Sequence, residues 1–117
     1  MGKGIKSCTL MEKYIALIKQ GKKAVEARVA IPMFQSWQEG DRIRFFSRRN
    51  SHIEVIVKIV GKAHYKTFRQ MLEAEGVEKV IPEISNIYEG ERIYLEIPKY
   101  AEREKQYGVF AFRIEVI

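Results

Sequence analysis

Cysteine is almost missing from this 117-residue chain: Cys8 stands alone, so no intrachain disulfide can form, which fits a reducing compartment. Nothing around Cys8 resembles a nucleophile motif, and it is not read as catalytic. Histidine is nearly as scarce. His52 and His64 lie far apart and lack ligand spacing, so no metal site is expected and each is read as structural or solvated. No apolar run approaches the roughly 20 residues of a membrane span. The opening residues, MGKGIKSCTLMEKY, lack the apolar stretch of a secretory signal, so no membrane partner and a cytoplasmic location are expected. Asparagine occurs only at Asn50 and Asn86, against abundant Lys, Arg and Glu, a balance that leans toward a thermophile. There is no internal repeat or low-complexity tract. No cofactor is expected.

What is present suits a single domain over residues 1–117, long enough to bury a core without staples. The net charge of +6 is uneven. Residues 1–60 hold twelve Lys/Arg against five Asp/Glu, whereas residues 61–117 hold nine against ten. A basic half on a small domain points to an anionic partner, of which nucleic acid is the commonest, or to a soluble surface with surplus lysine.

The pattern predicts a helix over about 10–20, with Thr9 and Glu12 as a capping box and Gly21 as its stop. Val25 to Val29 alternates as a strand that Pro32 ends. Phe34 and Trp37 fall in a loop or single turn. Arg42 to Phe46 reads as a strand, 47–51 as a hairpin loop, and 52–64 as a long strand bending near Gly61. Thr67 opens a helix that runs to Gly76. Ile93 to Ile97 reads as a strand closed by Pro98, 100–107 as a short helix or turn, and Val109 to Val116 as a strand inside the sheet. This order is not regular βαβ; an α+β fold built on a small mixed β-barrel of five to six strands with flanking helices fits it better.

One segment concentrates both signs of charge. Residues 20–28 read QGKKAVEAR. On a strand, Val25, Ala27 and Val29 share one face, and Glu26 and Arg28 share the other. Arg28 can hold a carboxylate, and a left-handed turn at Gly21 can bring Lys23 onto the same side. The alternative is a solvated strand face with an incidental ion pair, worth under about 1 kcal/mol.

The string Gly21-x-Lys23-x-x-Glu26-x-Arg28, followed by Gly40-Asp41, resembles the ASCH (activating signal cointegrator homology) domain family. The segments Ile93 to Ile97 and Tyr107 to Phe112 resemble that family's last two strands, and the likeness spans nearly the whole chain. It implies a PUA-like barrel with a cleft lined by Lys23, Glu26 and Arg28 and shaped by Gly21. It also implies binding of RNA or a nucleoside-like ligand. A bacterial branch resembles an amidohydrolase of acetylated cytidine, and nuclease activity is attributed to some members. The amidohydrolase branch has threonine where this chain has Glu26, and neither Glu78 nor Glu83 matches its completing acid cleanly.

Two chemistries follow. For binding, Lys23, Arg28, Arg42, Arg44, Arg48 and Arg49 can form a basic groove for phosphates. Phe34 and Trp37 can stack on bases, or Trp37 can plug one end of the barrel. For hydrolysis without a metal, Lys23 can act as base, Glu26 can orient it or activate water, and Arg28 can hold an oxyanion. Thr67 and Ser85 are loose candidates for a hydroxyl. Protein interaction ranks last, since core packing explains the amphipathic helix at 66–75.

Overall fold

A computed structural model describes residues 4–117. Its elements run β1 (Lys6–Thr9), α1 (Glu12–Lys19), β2 (Val25–Val29), α2 (Pro32–Gln35), β3 (Arg42–Phe46), β4 (Glu54–Tyr65), α3 (Phe68–Glu75), α4 (Val77–Val80), α5 (Ile87–Leu95), α6 (Tyr100–Tyr107) and β5 (Val109–Val116). The five strands form one curled sheet in the order β1-β3-β4-β5-β2. The β1–β3 pair is parallel and the others are antiparallel. The sheet is a half-barrel, with β1 and β2 as its two outer strands. A register shift between Ile59 and Gly61 breaks the long β4–β5 ladder, near the bend expected from the glycine.

Alternation along the strands feeds two cores. Inside the curl, Ile43, Phe45, Val57, Phe112 and Ile114 pack with Trp37 and with Ile15 and Ile18 of α1. Outside it, Val25, Ala27, Val29, Val109 and Ala111 pack against Phe68, Met71 and Leu72 of α3 and Val80 of α4. β5 is buried on both faces through Phe112, which suits a strand flanked by β4 and β2. Among the described residues no helix is long and apolar enough to cross a membrane.

Two expectations are corrected. Ile93 to Ile97 is not a strand; Ile93 to Leu95 close α5, and Asn86 caps that helix by accepting from the N–H groups of Tyr88 and Glu89 at 2.8 and 3.3 Å. The five-residue alternation sampled little more than one turn of a helix whose inward positions are Ile87, Tyr94 and Leu95. Gly90, mid-helix, lets α5 approach α3 closely: a Cβ there would sit 3.1 Å from a Leu72 methyl. The capping box also fails. Thr9 ends β1, the N-cap of α1 is Met11 with no side-chain bond, and the Glu12 carboxylate accepts from the Ser47 hydroxyl at 2.8 Å. β1 itself lies in a segment too short and polar to signal a strand.

Candidate functional site

The charged segment begins where α1 ends. Gly21 has φ +76°, and the N–H groups of Gly21 and Lys22 bond back to Ile18 and Leu17 at 2.9 Å each, a Schellman closure. That turn carries Lys23 back under the sheet, where it is 3% exposed. Its ammonium donates to Val25 O at 2.8 Å and Val80 O at 2.5 Å, and lies 3.2 Å from Glu26 Oε1. Across the same carboxylate, Arg28 places Nε 2.8 Å and Nη2 2.7 Å from Glu26 Oε2.

Arg28 also crosses the gap between the outer strands. It donates to Thr9 O at 3.2 Å and to Cys8 Sγ at 3.3 Å, both on β1. Its plane lies 5.3 Å from the Phe34 ring and 5.8 Å from the Phe45 ring. The charged trio therefore closes the seam of the half-barrel with side chains where a closed barrel would use main-chain bonds.

Burial alone would raise the Glu26 carboxyl, but Arg28 and Lys23 outweigh it and hold its pKa below the ordinary value. Burial pushes Lys23 down against the pull of Glu26. For Arg28 burial acts downward too, and Glu26 reverses it upward. Two cations around one carboxylate leave the trio with a net positive charge.

A cleft of about 800 Å³ opens over this trio. Its floor is Lys23, Glu26, Ala27 and Arg28; α1 and its approach supply Thr9 to Tyr14; the β3–β4 loop supplies Ser47, Arg48 and Arg49; α5, α6 and their link supply Ile93, Tyr94, Ile97 and Tyr100. Five basic side chains face two carboxylates in this lining. Met11 and Ile97 make an exposed apolar rim. Burial raises the pKa of the Tyr14, Tyr94 and Tyr100 hydroxyls, so each stays protonated as a donor. Tyr94 and Tyr100 lie parallel to Phe68, with ring centroids 4.4 and 5.8 Å from it, which fixes that wall. Ser47 sets the opposite wall, where its hydroxyl accepts from the N–H groups of Arg49 and Asn50 at 3.2 and 3.3 Å.

The ASCH domain model matches residues 9–117.

The chain belongs to the ASCH family.

Among solved structures, this ASCH domain is similar to the hypothetical protein PH0355, at 38% identity and TM-score 0.87 over 97% of this chain and 100% of that one. It is also similar to protein PF0455 from Pyrococcus furiosus, at 32% identity and TM-score 0.76 over 97% and 98%. ASCH from Zymomonas mobilis shares the fold, at 18% identity and TM-score 0.64 over 97% of this chain and 70% of that one. No curated protein matches the chain.

The ASCH fold brings only part of the expected set together. Lys23, Glu26, Arg28, Arg48 and Arg49 meet in the cleft, and Gly21 shapes the turn without lining it. Trp37 does not offer a stacking face: it is 2% exposed and packs against Phe34, Phe45 and Phe112, so the plug reading replaces the stacking one. Phe34 is buried as well. Arg44 lies outside the cleft, bound to Glu54 at 2.5 Å and Ser51 O at 2.7 Å. Arg42 faces out from β3 opposite Lys58. Thr67 is spent capping α3, accepting from Gln70 N–H at 3.1 Å. Ser85 and Glu78 are exposed away from the cleft lining, and Glu83 pairs with Lys13 at 3.7 Å. His52 sits in the exposed β3–β4 loop, and His64 bonds Tyr107 O at 2.8 Å. Tyr14, Ser47, Tyr94 and Tyr100 were not anticipated. A serine two residues before Arg49 was a readable turn signal; Tyr94 was hidden by the misread strand, while Tyr14 and Tyr100 lay in segments correctly read as helical whose cleft-facing side only the tertiary packing shows.

Proposed function

We propose that this ASCH domain binds RNA, or a nucleotide within it, in the cleft above Lys23, Glu26 and Arg28. The observation that carries the reading is the combination in one 800 Å³ cleft of basic side chains, protonated tyrosines and an apolar rim. Arg48 and Arg49 supply charge for phosphate, and the tyrosine wall and rim supply contact for a base. The buried trio bridges the seam and forms the floor of the cleft, while its net charge favours an anion. RNA recognition is also what the family likeness supports.

Hydrolysis of a modified nucleoside is a second reading, favoured by the downward push that burial exerts on Lys23. Against it, Val25 O, Val80 O and Glu26 engage all three N–H groups of the Lys23 ammonium, which favours the charged form over the neutral amine that a base requires. Incubation with acetylated cytidine is expected to leave it intact; deacetylation that disappears in Lys23→Met would reverse the ranking.

The test of binding is a salt series with short single-stranded RNAs. Retention on a filter is expected at low salt, with a steep fall as salt rises. No retention at low salt contradicts the proposal.

A further inference from the structure

Among the described residues β2 is paired on one side only, with β5. In an antiparallel ladder, residues that exchange hydrogen bonds with the partner strand alternate with residues whose N–H and C=O point the other way. Two bonds fix the phase here: Ile114 N–H to Ala24 O at 3.0 Å, and Ala30 N–H to Gly108 O at 2.9 Å. Both pairs share the register that sets Glu26 opposite Phe112 and Arg28 opposite Phe110. Val25, Ala27 and Val29 therefore aim their main-chain groups away from β5, at the seam. Val25 O is taken by the Lys23 ammonium at 2.8 Å, and Val29 O by Ile31 N–H at 2.9 Å. Among the described residues no strand forms a ladder with β2 on the side to which the Ala27 N–H and C=O point, so neither group has a ladder partner there. It is 3% exposed and its methyl faces the helical layer, yet it lines the cleft. Its N–H and C=O point at the seam over which the cleft opens. A buried donor and acceptor left unpaired are costly, and a ligand edge with one acceptor beside one donor satisfies both together.

We infer that the cleft reads the hydrogen-bonding edge of a single nucleobase through the Ala27 N–H and C=O, with the attached phosphate toward Arg48 and Arg49; this rests on the nucleotide reading above. An added peptide strand fits less well. Strand addition uses a row of main-chain groups. Here the Val25 and Val29 carbonyls are occupied and the Arg28 guanidinium spans the gap to Thr9 O at 3.2 Å, so of the three residues that face the seam only Ala27 presents an acceptor beside its N–H. Main-chain recognition of this kind depends on the ligand's edge and not on any side chain of the floor.

The full chain, labelled with ¹⁵N, is titrated with the four common ribonucleoside 5′-monophosphates. The tightest binder is then compared with its analogue methylated on the Watson–Crick ring nitrogen (N3 of a pyrimidine, N1 of a purine). The Ala27 amide signal is expected to move as the unmodified nucleotide saturates, and methylation is expected to weaken binding about tenfold or more. Equal affinity for both ligands, with shifts at Arg48, Arg49 and Tyr94 but none at Ala27, overturns the main-chain inference and leaves the nucleotide site standing. No shift with any nucleotide overturns both. An Ala27 shift driven by an extended peptide and by no nucleotide assigns the edge to strand addition and overturns the base reading.

Discussion

Two buried carboxylates on opposite sides of the sheet make an instructive pair. Glu26 sits between Lys23 and Arg28 inside the seam, with side-chain exposures of 5%, 2% and 13% respectively. Glu75, on α3, accepts from the Tyr65 hydroxyl at 2.5 Å and from Arg113 Nε and Nη2 at 3.0 and 2.8 Å. Both carboxyls are held below their ordinary pKa: Glu26 by its two cations against burial, Glu75 foremost by the Arg113 hydrogen bonds. The difference lies in the cations. The Arg113 side chain is 51% exposed and keeps its water, so the Glu75 cluster is a strap that ties α3 to β5. Lys23 and Arg28 have lost theirs and depend on Glu26. A buried trio of this kind is a weak source of stability compared with apolar packing, and its presence beside a cleft is what marks it as more than a strap.

The largest effect that separates the two clusters is expected from truncation. Glu26→Ala leaves two buried cations unpaired and is expected to cost about 3–5 kcal/mol in urea unfolding. Glu75→Ala frees an arginine already half in water and is expected to cost about 1–2 kcal/mol. Equal losses would erase the distinction.

Acid sharpens it. Because both folded carboxyls lie below the unfolded value near 4.5, each contributes stability that is full above that pH. That stability declines as the pH falls from about 4.5 through the folded pKa. Thermal unfolding between neutral and acid pH is expected to show this decline, and Glu26→Gln is expected to remove more of it than Glu75→Gln. Arg28→Lys keeps the charge but loses the fork that reaches Thr9, and is expected to cost about 1–2 kcal/mol in the same unfolding assay. Arg48→Ala and Arg49→Ala belong to neither cluster. Each is expected to leave stability within about 0.5 kcal/mol, while lowering the slope of RNA affinity against salt by about one.

The charged segment at 20–28 was legible because strand alternation and a glycine stop fix which side chains share a face. Lys23, Glu26 and Arg28 converge as that geometry requires, and β2, β3, β4 and β5 follow from their apolar periodicity. The parts that were not legible share a cause, dependence on partners distant in sequence. β1 is a four-residue strand whose pairing with β3 no local pattern announces. Five residues near the end of α5 alternate like a strand, and only packing of the earlier turns on α3 shows otherwise. Trp37 reads alike as a stacking ring or a plug until Phe45 and Phe112 are seen around it. Arg44 counts as a free cation until Glu54 is placed beside it.

The most direct measurement is an amide shift map of the labelled protein titrated with single-stranded RNA at low salt. The account predicts perturbations confined to the cleft, at residues 9–14, 27–28, 47–49 and 93–100, with Glu75 and Arg113 silent. Shifts centred on Glu75 and Arg113, or none at all, would contradict it.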